Sequence, residues 1–330
     1  MHTTNMIDKI TLSYGGGGEE SNELIEIFFK YFSNPFLKPE DAATLNVNKK
    51  IAFSTDSFTV DPLFFNGGDI GKLAIVGTCN DLAMMGAMPK YLSVSFIIEE
   101  GFDFKELEEI VKSMAKEAKQ ANINIVCGDT KVVPKGSVDK IFINTSGIGE
   151  IIKDNISAFN LKPGDKVLVS GDIGRHGSVI LANRFNVTTD LKSDCKLLID
   201  EVKTLIDEGI NIKALRDATR GGVSTVLNEL AKASNVGIEI KEENLPISDE
   251  VMGLCEIFGF EPMDLANEGT FIAVVDENDA NKALEILKKF NPNASIIGEV
   301  NNEKKVVLTS PWGSKRYIEL PKGELLPRIC

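Results

Sequence analysis

Four aspartates, Asp56, Asp69, Asp81 and Asp217, stand where they could serve phosphate chemistry, and three of them fall in Phe53 to Pro89, a stretch short of basic residues. Asp56 interrupts Ile51 to Val60, a run of strand character, at a place where an apolar or hydroxyl residue would form strand better. Asp69 is surrounded by Gly67, Gly68 and Gly71, and Asp81 lies within Lys72 to Met85, which has the length and composition of a buried helix. Carboxylates from a strand, a loop and a helix could converge, and hard oxygen ligands around a phosphate suit magnesium, which bridges a few carboxylates to a nucleotide. Taken singly, Asp56 and Asp69 also suit turn or capping acids and Asp81 a solvated helix residue. A lone charge inside the apolar run around Asp81 would be costly, which favours the collective reading.

Further groups follow along the chain. Asp129 and Lys131 come after the strand Ile123 to Cys127 and a glycine, where α/β proteins place ligand groups, or where a turn carries a surface lysine. In RDATRGG, Asp217, Thr219, Arg220, Gly221 and Gly222 precede an amphipathic helix; free N–H groups and the helix dipole would favour phosphate there, and capping alone is the plainer alternative. Glu268, just before the strand Thr270 to Val275, is either a turn acid or a placed base. His176 has no nucleophile elbow near it and reads as a structural residue beside a ligand-facing loop. The glycine run Gly15 to Gly18 lacks the Lys-Ser or Lys-Thr of a P-loop and reads as a linker or a phosphate or tail contact.

The elements that must position these groups alternate between strands and covering helices. Strands are expected at Tyr91 to Ile98, Ile141 to Ile148, Lys166 to Ser170 and Val236 to Ile240, with helices over Leu107 to Ala118, about 193 to 208 and Ala280 to Phe290. The Pro-Gly turn at 163–164 marks a boundary between two domains, 1–157 and 158–319, and 320–330 reads as an extended mobile tail ending in Cys330. A chain of 330 residues can bury a large core, and 43% hydrophobic with 26% charged residues excludes disorder. A net charge of −13 argues against nucleic-acid binding, and no apolar run approaches the about 20 residues needed to cross a bilayer. The opening MHTTNMIDKITL lacks a secretion signal, so a cytoplasmic location is expected. Five cysteines without a C-x-x-C pair argue against zinc and disulfides.

STDSF at 54–58, GGDIG at 67–71 and GT-x-NDLAM-x-GA-x-P at 77–89 resemble the nucleotide-binding region of the superfamily that holds aminoimidazole ribonucleotide synthetase, selenophosphate synthetase and HypE. With the ending PRIC, the chain is most similar to the HypE family of hydrogenase maturation proteins. Tyr14 departs from the histidine often found before the glycines. The resemblance implies an α/β (α+β) fold of two domains, the first forming a barrel-like sheet across a homodimer. It implies that a carbamoyltransferase (HypF-like) loads the terminal cysteine and that ATP drives dehydration of the carbamoyl group to a thiocyanate. The cyanide then passes to iron on a HypC-HypD-like scaffold for a [NiFe]-hydrogenase. Asp56, Asp69, Asp81 and Asp217 would be the magnesium-side acids, with Asn80, Asp129, Thr219 and Arg220 near ATP and Lys131 and Glu268 beside Cys330. A synthetase phosphorylating a free small molecule and a nucleotide-binding carrier without turnover are the alternatives; a selenophosphate synthetase usually has a reactive cysteine or lysine near its first glycine loop, and no cysteine occurs here before Cys79.

Overall fold

A computed structural model describes residues 9–15, 19–36, 43, 45–320, 326 and 328–330. Gly16 to Gly18, for which a phosphate or tail contact was one expectation, and 321–325 of the tail lie outside the described residues.

The first half builds a four-stranded sheet. Helix α1 (Glu19–Phe32) precedes β1 (Ile51–Phe58), the small hairpin β2 (Phe64–Phe65) and β3 (Gly68–Asp69), and helix α2 (Ile70–Met84). Then follow β4 (Ala87–Glu99), α3 (Phe104–Gln120), β5 (Asn124–Val133) and β6 (Ile141–Ile151). The order is β1-β6-β4-β5, antiparallel except for the β4–β5 pair, which α3 connects. One face carries α2 and α3. Leu107, Ile110, Val111, Met114 and Ala118 recur at helical spacing along α3 and are all buried. Gly71 allows α2 to approach α3, since a Cβ there would lie 2.5 Å from the Ile110 carbonyl oxygen. The other face is open in a single chain: Phe53 is 66% exposed, with Ile51 exposed beside it and Ile97 exposed farther along the same face on β4.

The second half builds a seven-stranded sheet from β7 (Lys166–Val169), β8 (Ile212–Asp217), β9 (Gly237–Lys241), β10 (Phe271–Val275), β11 (Ser295–Asn301), β12 (Val306–Thr309) and β13 (Lys315–Tyr317). The order is β13-β12-β9-β11-β7-β10-β8, with β12–β9 the parallel pair. Helices α4 (Arg175–Arg184), α5 (Ile199–Asp207), α6 (Gly222–Ser234), α7 (Asp249–Phe258) and α8 (Ala280–Lys288) complete this half. Mixed sheets with covering helices agree with the α/β (α+β) class expected.

Two elements differ from the sequence reading. The helix expected from about 193 begins at Ile199, because the preceding N–H groups serve tertiary partners: Ser193 donates to the Asn66 carbonyl (2.8 Å) and Leu198 to Asn80 Oδ1 (2.9 Å). The strand expected to stop at Cys127 runs on to Val133, paired along β4, so Asp129 and Lys131 are strand residues rather than loop residues.

Candidate active site

The described acids gather where the two sheets' halves meet, around a cavity of about 370 Å3. β1 supplies Ser54 and Asp56, α2 supplies Gly77 and Asp81, β8 and the loop after it supply Asp217, Thr219 and Arg220, and the approach to β10 supplies Glu268. Cys330 lines the same cavity. The alternation of β1 points Asp56 toward α2, and Gly77 makes room for it: a Cβ there would lie 2.9 Å from the Phe58 ring and 3.5 Å from Asp56 Oδ2. Asp81 accepts a 2.6 Å hydrogen bond from Ser54 Oγ. Gly221 and Gly222 open α6 with φ of +74° and +58°, and a Cβ on Gly221 would lie 2.1 Å from Thr225 Oγ1, so the turn holding Thr219 and Arg220 requires glycine.

Electrostatics binds these acids into one unit. Burial, then the neighbouring Asp81 and Asp56, raise Asp217 to about 7, with Arg216 opposing. Glu268 is pushed well above the usual carboxylate range by burial and by Asp217, Asp194, Asp56 and Asp81. Its Oε1 is buried with no hydrogen-bond partner. Asp56 and Asp81 are raised too, chiefly by burial, while Arg220 partly offsets both. The cluster thus holds more negative charge than its protein partners neutralise.

The other expected site residues lie elsewhere. Asp69 does not line the cavity; its carboxylate caps α2, accepting from Gly71 N (2.7 Å) and Lys72 N (3.0 Å). Asn80 is buried and joins the halves, donating to the Lys196 carbonyl (3.1 Å) as well as accepting from Leu198. Asp129 and Lys131 sit on β5, at the sheet edge opposite β1, and neither lines the cavity. Three strand spacings of about 4.8 Å separate Lys131 from β1 within one chain. Among the described residues no three His, Cys, Asp or Glu side chains are close enough to form a ready metal site. Of the four aspartates expected around magnesium, Asp56, Asp81 and Asp217 line the cavity together, whereas Asp69 caps α2.

Sequence reasoning missed Asp194. Its carboxylate accepts from the main-chain N–H of Glu268 (3.1 Å) and Gly269 (3.0 Å), fixing the loop that carries Glu268. A Cβ on Gly269 would lie 1.8 Å from the Asp194 carbonyl oxygen, so Asp194 and the glycine of NEG belong together. Nothing in the irregular run before α5 marked this acid out.

Residues 39–151 match the AIR synthase related protein N-terminal domain and residues 162–310 the AIR synthase related protein C-terminal domain, which defines the class of two-domain protein that this fold and acidic cleft represent. The chain is 46% identical over 337 residues to the carbamoyl dehydratase HypE of Escherichia coli (strain K12), across 98% of this chain and 100% of that protein. A crystal structure of HypE in complex with ATP superposes with a TM-score of 0.94 at 43% identity, covering 97% of this chain and 99% of that one. HypE in a HypE-HypF complex superposes with a TM-score of 0.80 at 50% identity over 90% of this chain and 99% of that one. The chain belongs to the HypE family.

Proposed function

We propose that the protein uses ATP to dehydrate an S-carbamoyl group on Cys330 to a thiocyanate, the cyanide source for [NiFe]-hydrogenase maturation. The observation that carries this reading is that Cys330 lines the cavity formed by Asp56, Asp81, Asp217 and Glu268. A relative at 43% identity binds ATP and another is solved with HypF, which supports ATP as the phosphoryl donor and a HypF-like carbamoyltransferase as the loading partner.

The chemistry follows from a poor leaving group. The carbamoyl oxygen attacks the γ-phosphorus of ATP and releases ADP, while one amide N–H proton is lost. Removal of the second proton then forms the C≡N bond as the C–O bond breaks and phosphate departs. Glu268 suits the proton transfers, because a carboxyl raised by burial is a stronger base toward a weakly acidic N–H than an exposed one. Thr219 and Arg220 at the start of α6 suit the phosphates. The uncompensated charge and the unpartnered Glu268 Oε1 fit a divalent cation. Asp56, Asp81 and Asp217 would hold magnesium, which when bound neutralises phosphate charge.

Lys131 cannot serve the cavity of its own chain. A homodimer packed through the open face bearing Phe53 would cover that face and set β5 of a second copy, with Asp129 and Lys131, against it. The iron-bearing acceptor would be a HypC-HypD-like complex, and the setting cytoplasmic; among the described residues no helix is long and apolar enough to cross a membrane.

Intact mass spectrometry tests the reading. With the transferase, the parent chain gains one carbamoyl unit, then loses one water on adding ATP and magnesium. Cys330→Ala gains nothing while still binding ATP. A Cys330→Ala chain that gains and dehydrates the group would overturn it.

A further inference from the structure

The end of the tail is held through its main-chain oxygens and through the Arg328 side chain, whose Nε donates to the Thr59 carbonyl at 2.7 Å. The Arg328 carbonyl accepts from Asp61 N (3.2 Å) and from Arg184 Nη2, and the Ile329 carbonyl accepts from His176 Nε2 at 2.8 Å. The main-chain oxygen of Cys330 accepts from Thr59 N (2.8 Å) and Thr59 Oγ1 (3.3 Å). The carbonyl oxygens of Arg328 and Ile329 and one oxygen of Cys330 thus each have a donor. Ile329 is buried in the same core that receives α4, and the Arg328 side chain pairs with Asp139.

His176 and Arg184 are fixed for this task. His176 is fully buried, packs edge-on against Phe65 at 5.3 Å, and its Nδ1 lies 2.8 Å from Ser193 Oγ. A carbonyl can only accept, so Nε2 carries the proton and Nδ1 accepts from the Ser193 hydroxyl. Ser193 Oγ in turn accepts from Cys195 N at 3.1 Å, which closes the chain of partners. Arg184 is oriented by its second bond, Nε to the Asp61 carbonyl at 2.6 Å. Neither residue touches the acidic cluster; both act on the tail.

We infer that His176 and Arg184, with the main chain of Thr59 and Asp61, form a receptor for the tail's main-chain oxygens and so position the Cys330 sulfur in the acidic cavity. They are positioning residues for the proposed dehydration, and the inference takes the meaning of Cys330 from that reading. Because the hydrogen bonds from His176, Arg184, Asp61 and Thr59 all end on main-chain oxygens, they hold the tail in one register whether the sulfur is free or loaded.

Alkylation of the full chain by iodoacetamide, resolved by site with mass spectrometry, tests this without ATP or transferase, so its answer stands whether or not dehydration occurs. Half-buried Cys127 is the internal reference. His176→Leu and Arg184→Met should each raise the Cys330 rate roughly fourfold, since one lost hydrogen bond of about 1 kcal/mol moves a docking equilibrium that already leaves a minor open population, with Cys127 unchanged. His176→Gln, whose amide nitrogen can replace Nε2, should stay within about twofold of the parent. Arg184→Met, at a partly open position, decides the matter should His176→Leu not fold. Unchanged Cys330 rates in Arg184→Met, or equal rates in His176→Gln and His176→Leu, would overturn the receptor.

Discussion

Asp217→Asn isolates the electrostatic tension of the cavity. Asp217 stands at about 7 in the folded chain against an ordinary 3.8. A raised carboxyl binds its proton more tightly in the folded state than in the unfolded one, so its contribution is fully present below about pH 3.8 and is lost as pH rises through about 7. At about 1.4 kcal/mol for each pH unit the full conversion is about 4 kcal/mol. The carboxylate keeps an open side toward the cavity, and solvent screening there leaves about 2 kcal/mol. Asparagine keeps the shape and removes the charge, so the ligand-free variant should be more stable than the parent at pH 8 and equal to it at pH 4. At roughly 2–4 °C for each kcal/mol, Tm should rise by about 4–8 °C at pH 8. Circular dichroism is the suitable probe, since the single tryptophan, Trp312, is 90% exposed and reports little of the core. With ATP and magnesium the order should invert, because the cation rewards the charge that destabilises the free protein. A shift of the same size at both pH values, or a lower Tm at pH 8, would refute the reasoning.

Glu268→Gln should bind ATP within about twofold of the parent by titration calorimetry, yet leave a loaded carbamoyl group intact at least about a hundredfold longer in the mass assay, the range expected for a lost general base; parental dehydration would place the base elsewhere. Phe53→Asp should turn a homodimer into a monomer in light scattering, since a charge on the covered face would be buried without a partner; an unchanged mass would move the dimer contact to another face.

Asp56 and Asp81 were legible because each broke a local rule, the one sitting in a strand and the other in an apolar helix, whereas Asp217, ahead of a glycine pair that opens a helix, read equally as a phosphate-site acid or a cap. Glu268 was readable only as one of two alternatives, since a turn acid and a placed base look alike in sequence. Asp69 shows the limit of that logic. An acid among glycines before a helix satisfies the capping rule outright, and capping is what its carboxylate does. Asn80, next to Asp81 in the same motif, faces the other half of the molecule, because adjacent helix positions do not share a face. Asp194 and the tail-holding role of His176 depend on contacts spanning 74 and 153 residues, which no local pattern encodes.

The docked tail explains why a carrier reaction needs two places. A sulfur inside a cavity of about 370 Å3, behind a buried Ile329, cannot at the same time enter the active site of a transferase. Loading therefore requires undocking, and the energetics permit it. Four hydrogen bonds to main-chain oxygens of 328–330, from Asp61, Arg184, His176 and Thr59, contribute about 1 kcal/mol each, while the Arg328 side-chain bonds to the Thr59 carbonyl and Asp139 about offset the rotamer freedom that side chain loses. Burial of Ile329 adds about 2 kcal/mol. Ordering three residues costs about 1.5 kcal/mol each, or about 4.5 kcal/mol in total. The balance favours docking by about 1–2 kcal/mol, so the docked state dominates while the open state stays populated at the level of a tenth or so. A much tighter receptor would keep Cys330 from its partner, and a much looser one would leave the sulfur outside the cavity in which Asp56, Asp81, Asp217 and Glu268 face it.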